Sequence, residues 1–455
     1  MNTIEAQRAH GGAQRPVTAD REAVEEDRRN LRRVLDSLVL HLHPTRVPAR
    51  ALRFTATWGL GGISALLALL LGLTGVLLMF RYEPDIDRAY LSILALETEV
   101  AFGSLLRALH HWASNLLVIT VFLHLVRVVV TGGYKAGRRL NWTVGVGLLL
   151  LVLTFNFTGT LLPWDQLAYW AVTVSTSIIH HVPLVGREIA AMLLGGREVG
   201  QSALRTFYAL HVAALPAVSV ALLATHVWRV RKDGGIALPL PGPGERVERV
   251  TTVPHLVRRE VAVGALVLTA LVAFAMVVPA PLGDVADPLR SPNPAKAAWY
   301  FGGLQELLLH METEAALLLL ALLFGALLAL PFLERKEADV GLPFRSARGR
   351  QAALWGAVLA LNLTPAAILA DELWIDWTAW LPTWPTFVAN GLLPVGAILA
   401  TLLLLYLGAG ALLKADPSEA TVALFTFLTV ALIVMTLTCA LFRGPNMALT
   451  LPSPR

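Results

Sequence analysis

The stretch Arg107–Arg127 reads RALHHWASNLLVITVFLHLVR, an apolar segment with charge only at its two ends and with His110 and His124 inside it. A second long uncharged stretch carries His211 and His226. A helix that crosses a bilayer core needs about 20 predominantly apolar residues, so both stretches are long enough to span a membrane. Ionisable side chains are costly inside a membrane and usually serve a function there. These four histidines therefore carry most of the information about fold and function.

The composition of the whole chain is that of a polytopic membrane protein. Of its 455 residues 56% are hydrophobic and 15% are charged, whereas soluble domains average about 25% charged residues. These values exclude a disordered chain, a fibrous chain and an ordinary soluble enzyme. The single cysteine, Cys439, excludes a disulfide framework, a thiolate-held cluster, a cysteine-based zinc site and a CxxCH haem attachment. No nucleotide-binding glycine loop is present, and we expect no nucleic-acid partner.

Nine long stretches without Asp, Glu, Lys or Arg predict an all-α transmembrane bundle of about nine spans. They lie between Arg53 and Arg81, Arg107 and Arg127, Arg139 and Asp165, Arg205 and Arg229, Glu260 and Asp284, Glu314 and Glu334, Arg350 and Asp371, Asp376 and Lys414, and Glu419 and Arg443. A tenth uncharged stretch, Gln166–Gly186, contains Pro183, two histidines and many Ser and Thr residues. We interpret it as surface helices outside the bilayer.

The distribution of basic residues supports nine spans and predicts the orientation. With nine spans, one side of the membrane carries 27 Lys and Arg residues and the other carries 10. Because cytoplasmic loops are enriched in Lys and Arg, the N-terminus is predicted to be cytoplasmic. A tenth span would move Arg229, Arg231 and Lys232 to the wrong side. Residues 1–53 are then a cytoplasmic segment, with an amphipathic helix predicted over Ala23–Leu40.

The histidine spacing predicts two facing pairs. Fourteen residues of helix advance about 21 Å and return to within about 40° of the starting direction, whereas fifteen residues overshoot by about 60°. Because both spans begin on the outer side, His110 lies level with His211 and His124 lies level with His226. Two levels of two imidazoles favour two noncovalent bis-histidine haems in a four-helix core, residues 54–234. A zinc site would need three or four ligands at one level. Four hydrogen-bonded core histidines are the simpler alternative.

Glycines and arginines flank this candidate site. Gly61 and Gly75 are fourteen residues apart in the first span, and Gly145 and Gly159 are fourteen apart in the third. Small residues allow close approach in membranes, so these glycines could make room for the haems. Near the span ends lie three candidate partners for haem propionates, which could instead extend to the lipid headgroups: Arg107, Arg127 and Arg231.

Several motifs carry a resemblance to a known family. They are Arg107-Ala-Leu-His110, His124-Leu-Val-Arg127, Thr131-Gly-Gly-Tyr134-Lys135, Gly159, Pro163-Trp-Asp-Gln-Leu-Ala-Tyr-Trp-Ala171, Val199-Gly-Gln-Ser202, Phe207-Tyr-Ala-Leu-His211 and Arg231-Lys232. The pattern resembles the cytochrome b subunit of quinol-oxidising Rieske–cytochrome b complexes, and it is most similar to the plastid-like branch. Residues 235–350, with Ala286-Asp-Pro288, Trp299-Tyr300 and Pro331-Phe-Leu-Glu334, resemble the C-terminal half of the family, here fused to the first half. We interpret residues 351–455 as extra or divergent spans.

The resemblance implies that the chain is the membrane electron-transfer subunit of a quinol:cytochrome c-type oxidoreductase. Quinol would be oxidised on the outer side, between the Pro163–Ala171 segment and Trp299-Tyr300. One electron would pass to a Rieske iron–sulfur protein and a c-type cytochrome. The other would pass through the outer haem (His110 and His211) and the inner haem (His124 and His226) to quinone near the cytoplasmic face, with proton translocation. A homodimeric complex in a bacterial inner membrane, in contact with lipid and the quinone pool, is also implied.

Three positions depart from the family pattern. Gly59 stands where the plastid-like branch attaches a further haem through cysteine, so we expect no thioether-linked haem. Ala298 replaces the glutamate of the family's Pro-Glu-Trp-Tyr motif, and an alanine cannot accept the quinol proton. Glu306 is the preferred substitute, with a solvated helix-end charge as its simpler interpretation, and Asp165, Asp287 and the Rieske partner are the other candidates. His111 replaces a basic residue after the first histidine and is expected at the surface or near a propionate.

The missing carboxylate keeps a second function open. The chain could be a dihaem membrane anchor that passes electrons between the quinone pool and another redox subunit without bifurcation. A haem-free transporter would explain nine spans, but it would not explain four histidines at two levels.

Overall fold

The computed structural model describes residues 43–242, 244–334 and 337–451. The predicted amphipathic helix at Ala23–Leu40 lies outside the described residues. In chain order the α-helices are α1 (Phe54–Thr57), α2 (Leu60–Met79), α3 (Ala89–Glu99), α4 (Gly103–Val130), α5 (Arg139–Leu161), α6 (Gln166–His180), α7 (Gly186–Leu194), α8 (Gln201–Lys232), α9 (Thr252–Val277), α10 (Gly302–Leu309), α11 (Thr313–Leu333), α12 (Ala347–Leu373), α13 (Trp377–Trp380), α14 (Val388–Leu413) and α15 (Pro417–Phe442).

The prediction of nine spans in an all-α fold is confirmed. Within the described residues, nine helices are long and apolar enough to cross a membrane: α2, α4, α5, α8, α9, α11, α12, α14 and α15. The doubtful stretch Gln166–Gly186 forms α6, with 15 residues, and leads into α7, with 9 residues. Both are shorter than the membrane thickness requires. Asp165 caps α6 by accepting a hydrogen bond from the backbone N–H of Ala168.

The N-terminal spans form the bundle that holds the histidines. Helix α4 packs against α2, and α8 packs against α5. A short antiparallel ribbon, β1 (Arg46–Pro48) with β2 (Arg249–Thr251), ties the entry to α1 to the start of α9. Each of the two helices that carry the histidines, α4 and α8, is therefore packed against a further span of the bundle.

The C-terminal spans pack mainly through α12 and α15, whose contact is lined by small residues such as Ala360, Gly356 and Ala423. Gly356 is required there, because a Cβ atom would lie 2.4 Å from the Ala423 carbonyl oxygen. The predicted boundary between residues 350 and 351 falls inside α12, which begins at Ala347. Ser346 caps the start of α12 by accepting a hydrogen bond from the Gly349 backbone N–H. The charged first turn of α12 is therefore part of the same helix as the span.

A buried ionic cluster joins the two halves of the chain. The Lys135 ammonium lies 2.7 Å from Glu334 Oε2 and 3.1 Å from Asp339 Oδ1, and it donates to Ser418 Oγ at 2.8 Å. The Tyr134 hydroxyl donates to the other Glu334 oxygen at 2.8 Å. Charges buried this deeply are stable only when paired, so the loop between α4 and α5 is fixed to the end of α11 and the start of α15.

Candidate functional site

Helices α4 and α8 bring four imidazoles together in two facing pairs. The ring centroids of His110 and His211 are 6.5 Å apart, with 68° between the ring planes. Those of His124 and His226 are 6.4 Å apart, with 79° between the planes. Fourteen residues of α4 separate the two levels by about 21 Å of helix rise. The structure thus forms the two pairs that the spacing predicts.

A π-helical segment explains how fifteen residues in α8 match fourteen in α4. Residues Leu210–Ala214 form this segment, in which the Leu215 N–H donates to the Leu210 carbonyl five residues earlier. Pro216 follows and has no N–H to donate. A π-turn inserts one extra residue into an α-helix. The insertion returns His226 to the face of His211, and it removes the overshoot expected of an ideal helix.

Each predicted glycine lies against one of the four imidazoles. A Cβ atom built on Gly75 would lie 3.3 Å from His110 Cε1, and one on Gly159 would lie 2.8 Å from His211 Cε1. At the other level the corresponding distances are 3.5 Å for Gly61 to His124 and 3.2 Å for Gly145 to His226. The glycines of α2 and α5 therefore make room for the edges of the histidine rings.

Two threonine hydroxyls orient the pair His110–His211. The Thr74 hydroxyl lies 2.8 Å from His110 Nδ1, and the Thr158 hydroxyl lies 2.9 Å from His211 Nδ1. Each hydroxyl donates its own proton to a carbonyl one turn earlier, of Leu70 and Thr154 respectively. Each oxygen must then accept from the imidazole, which places the ring proton on Nδ1 and leaves Nε2 as the metal-binding nitrogen.

The paired geometry fits a haem iron that would be held between the two imidazoles. With metal–nitrogen bonds of about 2 Å and ring nitrogens about 1 Å from their ring centres, two imidazoles on opposite sides of one metal have centroids about 6 Å apart. Both observed separations agree with this value. In the part of the chain that the structure describes, no group of three or more His, Cys, Asp or Glu side chains could hold a metal ion. A multi-ligand zinc site is therefore not supported.

The three predicted propionate partners have different surroundings. Arg107 is buried in an ion pair with Glu97 and donates to the Ala280 and Pro281 carbonyls at 3.0 and 2.6 Å. Arg127 donates to the Ala56 carbonyl at 2.8 Å. Arg231 lies in the last turn of α8. The structure thus shows that Arg107 also joins α4 to the chain that follows α9.

The Trp299–Tyr300 turn lies beside α4 and the end of α5. The Trp299 indole N–H donates to Asn115 Oδ1 at 2.6 Å, and 42% of the Trp299 residue is exposed. The Tyr300 hydroxyl is enclosed without a hydrogen bond of normal geometry, near the Thr160 side chain. Burial raises the pKa of Tyr300 to about 12. An enclosed hydroxyl without a full partner can donate to a bound ligand.

Asp165 lies at the start of α6, and both of its carboxylate oxygens accept hydrogen bonds. Oδ1 accepts from the Ala168 N–H at 2.9 Å, and Oδ2 accepts from the Gly283 N–H at 2.8 Å. Gln166 extends the same contact, because its N–H donates to the Asp284 carbonyl at 2.8 Å. Asp165 therefore fixes the chain after α9 to the start of α6.

Glu306 lies in a buried cluster with Arg443 and His310. Glu306 is fully buried, so the interpretation as a solvated helix-end charge is wrong. It lies on the α15-facing side of α10 that also carries Gly302 and Gly303, and Arg443 donates to both of its oxygens at 2.6 and 3.0 Å. Burial alone would raise the pKa of the Glu306 carboxyl, but hydrogen bonds from His310 and Arg443 lower it.

His310 connects this cluster to the surface. Its Nε2 lies 3.3 Å from Glu306 and its Nδ1 lies 2.6 Å from Asp371. Burial alone would lower the pKa of His310, but these two carboxylates outweigh it and raise the pKa. An open cavity of about 420 Å³ lies beside His310, Asp371 and Glu372. The cluster joins α10 to the ends of α12 and α15.

Sequence reasoning missed the residues that orient the haem-ligand candidates and the partners of Glu306. Thr74 lies one residue before Gly75, and Thr158 one before Gly159, so a Thr-Gly pair faces each outer histidine. That repeat could have been noticed in the sequence. Arg443 lies 137 residues after Glu306 and gives no local signal.

Comparison with protein-family models gives a match to "Cytochrome b/b6/petB" over residues 48–234. The chain is 40% identical over 192 residues to a cytochrome b6 of Heliobacterium modesticaldum, covering 42% of this chain and 88% of that protein. It is 42% identical over 175 residues to a cytochrome b6 of Heliomicrobium gestii, covering 38% of this chain and 82% of that protein. The family-model match, residues 48–234, includes all four paired histidines.

Among solved structures, a chain of a "Hyperthermophilic respiratory Complex III" superposes with a TM-score of 0.64 at 20% sequence identity. The superposition covers 91% of this chain and 97% of that chain. The fold is therefore shared well beyond residue 234, into the C-terminal spans.

Proposed function

Because the chain belongs to the cytochrome b/b6 family, we propose that it is the membrane subunit that transfers electrons within a quinol:cytochrome c-type oxidoreductase. Family membership and the nine apolar helices make it an integral membrane electron-transfer protein that binds b-type haem. The finer proposal is that quinol is oxidised on the outer side, with one electron leaving to a Rieske iron–sulfur protein and the other crossing the membrane.

The observation that carries the proposal is the stacking of two imidazole pairs along one bundle. His110 and His211 would hold the outer haem, and His124 and His226 would hold the inner haem. When bound, two haems would supply a path for single electrons between the two sides of the membrane. The protein orients the outer ligands through Thr74 and Thr158, whose hydroxyls fix the ring tautomer.

The quinol site is proposed at the Trp299–Tyr300 turn. The Tyr300 hydroxyl is enclosed and could donate to a quinol oxygen, while Trp299 presents an exposed face. Asp165 holds the chain after α9 in place and so acts as a positioning residue. The pairing of both Glu306 oxygens with Arg443 argues against Glu306 as the acceptor of the quinol proton.

The family also guides the proposals for partners and location. We propose a complex with a Rieske protein and a c-type cytochrome, dimeric and coupled to proton release on the outer side. The quinone pool would be reduced at a second site near the cytoplasmic face. The excess of Lys and Arg on the side of the N-terminus supports a bacterial inner membrane protein with a cytoplasmic N-terminus.

The second candidate is a dihaem anchor that passes electrons without bifurcation. Ala298 favours it, because the turn lacks the carboxylate that the family pattern would place there. The two functions differ in how the b haems respond when an oxidised acceptor is added together with quinol.

A variant that lacks the inner haem would distinguish the bifurcating function from the simple anchor. In the purified complex carrying His226→Gln, quinol is added first and oxidised c-type cytochrome second, and the b-type absorbance is followed. Bifurcation predicts that the acceptor increases haem reduction, because removal of one electron from quinol releases the second to the outer haem. A simple anchor predicts that the acceptor drains the haem, and that result would contradict the proposal.

A further inference from the structure

The last span, α15, and the residues after it hold the chain that leads into the Trp299–Tyr300 turn. Lys296 Nζ donates to the Ala440 carbonyl, near the end of α15, at 2.9 Å. Asn293 Nδ2 donates to Asn446 Oδ1 at 2.8 Å, and the Asn446 backbone N–H donates to Asn293 Oδ1 at 2.5 Å. The segment before the turn therefore takes its position from the end of α15.

Gln305 of α10 ties the chain before the turn to the helix after it. Its Oε1 accepts from the Ala297 N–H at 2.7 Å, and its Nε2 donates to the Ala295 carbonyl at 2.7 Å. The Cys439 thiol of α15 lies 3.4 Å from the same Oε1. A movement of α10 relative to α15 would therefore move the turn as well.

The first turn of α10 packs directly on the backbone of α15. A Cβ atom on Gly303 would lie 2.6 Å from Leu432 Cδ1 and 3.1 Å from the Leu432 carbonyl oxygen. One on Gly302 would lie 3.5 Å from the Thr436 carbonyl oxygen. Small residues permit such close approach of helices, so α15 determines where α10 begins.

The pair formed by Arg443 and Glu306 fixes the rotation of α10 at this contact. Arg443 Nη2 and Nε donate to the two Glu306 oxygens at 2.6 and 3.0 Å, and both side chains are at most 1% exposed. A guanidinium that binds a carboxylate through two hydrogen bonds restricts the angle between them as well as the distance. Arg443 is itself held by the Glu372 carboxylate of α12 and by the Met447 carbonyl.

We propose that Arg443 is a positioning residue for quinol oxidation: through Glu306 it fixes α10 against α15 and thereby sets the place of the Trp299–Tyr300 turn. This inference rests on the proposed function, in which the turn forms the quinol site. The last span, interpreted from the sequence as an extra or divergent helix, thus supports the outer quinol site.

Loss of the guanidinium would disturb the turn through Glu306. The buried carboxylate would keep the longer contact to His310, at 3.3 Å, and would no longer be held toward α15. Because Glu306 lies six residues after Tyr300, a rotation of α10 displaces the enclosed Tyr300 hydroxyl. A displacement of about 1 Å in a reacting geometry can lower a rate about 10²-fold.

The test separates position from stability in the purified complex. The variants are Arg443→Met, Arg443→Met combined with Glu306→Met, and Gly303→Ala. Arg88→Met is the control for the arginine variant, because it removes an exposed ion pair. Gly325→Ala is the control for the glycine variant, because a Cβ atom there would face open space in the described part of the structure.

Four quantities are measured for each variant: kcat/KM for quinol:cytochrome c reductase activity per bound haem, haem content, haem midpoint potentials and unfolding temperature. We expect Arg443→Met to lower kcat/KM about 10²-fold, with two haems retained and both potentials unchanged. Both controls should match the wild type.

The double variant removes both buried charges, and apolar replacement of a buried pair is often neutral for stability. It should therefore recover the unfolding temperature that Arg443→Met loses, yet keep a loss of at least about tenfold in kcat/KM. Gly303→Ala should lower kcat/KM about three- to tenfold, because the added methyl group displaces α10 by a few tenths of an ångström.

The proposal is overturned by a kcat/KM within twofold of wild type in Arg443→Met, or by a double variant that recovers kcat/KM together with stability. If Arg443→Met alone does not assemble, the double variant and Gly303→Ala decide by the same twofold limit. Wild-type complex that fails to oxidise quinol would instead refute the proposed function, whereas active wild type with equally active variants refutes only the positioning role.

Discussion

Gly159→Ala should selectively disturb the outer haem site. The added Cβ would lie 2.8 Å from His211 Cε1 and 3.4 Å from its Nε2. Ordinary contact begins at 3.4 Å, so the ring or α5 must move by about 0.6 Å. The Thr158 hydroxyl on the preceding residue holds the other side of the ring, at 2.9 Å from Nδ1, and resists that movement.

The expected cost follows from overpacking, which costs typically 1–3 kcal/mol. That range corresponds to about 5- to 150-fold weaker haem binding at this site. The inner site is about 21 Å away and should be unaffected. Gly61→Ala is the matched control, because its Cβ would lie at an ordinary 3.5 Å from His124 Cε1.

The assay is haem content per chain by pyridine haemochrome, with reduced-minus-oxidised spectra recorded after exposure to a haem-binding competitor. Gly159→Ala should lose outer haem at competitor concentrations that leave Gly61→Ala and wild type intact. The packing argument is refuted if both glycine variants retain haem equally, or if Gly61→Ala is the more damaged.

Replacing His211 by alanine should remove one haem and spare the other, as counted by pyridine haemochrome, because the outer iron loses one axial ligand. Thr158→Val should keep both haems but raise the outer midpoint potential in a redox titration, since the lost hydrogen bond makes the imidazole a weaker donor. Lys135→Met should destabilise the protein by about 3–5 kcal/mol in thermal unfolding, because the buried carboxylates of Glu334 and Asp339 would then share the more distant Arg345, at 3.8–3.9 Å. His310→Gln should lower thermal stability most at low pH: the folded pKa is raised, so the stabilisation is present below the unfolded pKa and is lost as pH rises through the folded pKa.

Each of these predictions has a contrary result. Loss of neither haem on replacement of His211 would refute the ligand assignment. An unchanged outer potential in Thr158→Val would mean that the hydroxyl does not orient the ring. Arg88→Met removes an exposed ion pair and is the control for Lys135→Met, so equal loss of stability in both would contradict the buried cluster. A stability difference at His310 that grows with rising pH would contradict the assigned charge.

The span pattern and the histidine pairs could be predicted from the sequence because they depend on local properties. The spans can be recognised as long stretches without charged residues. The spacing of 14 residues in α4 places two imidazoles on roughly one face of the helix. In an ideal helix, the fifteen-residue spacing in α8 would leave the second histidine about 60° past the direction of the first. The π-segment at Leu210–Ala214 corrects it, and Pro216 was the only sequence signal for that irregularity.

The surroundings of the candidate proton acceptors could not be predicted, because they depend on contacts between distant residues. Glu306 was favoured for its closeness in sequence to Trp299, yet helix geometry turns it toward Arg443 on α15. His111 was expected at the surface or near a propionate. It is half-buried, and Asn115 links it to a turn 184 residues further along the chain than Asn115. Such pairings arise only when the C-terminal spans pack against α4.

The most direct test of the account is the haem stoichiometry of the purified wild-type complex, measured by pyridine haemochrome with a dithionite-reduced minus oxidised spectrum. The account predicts two noncovalently bound b-type haems per chain, held by the pairs His110–His211 and His124–His226. One haem per chain, or none, would contradict it.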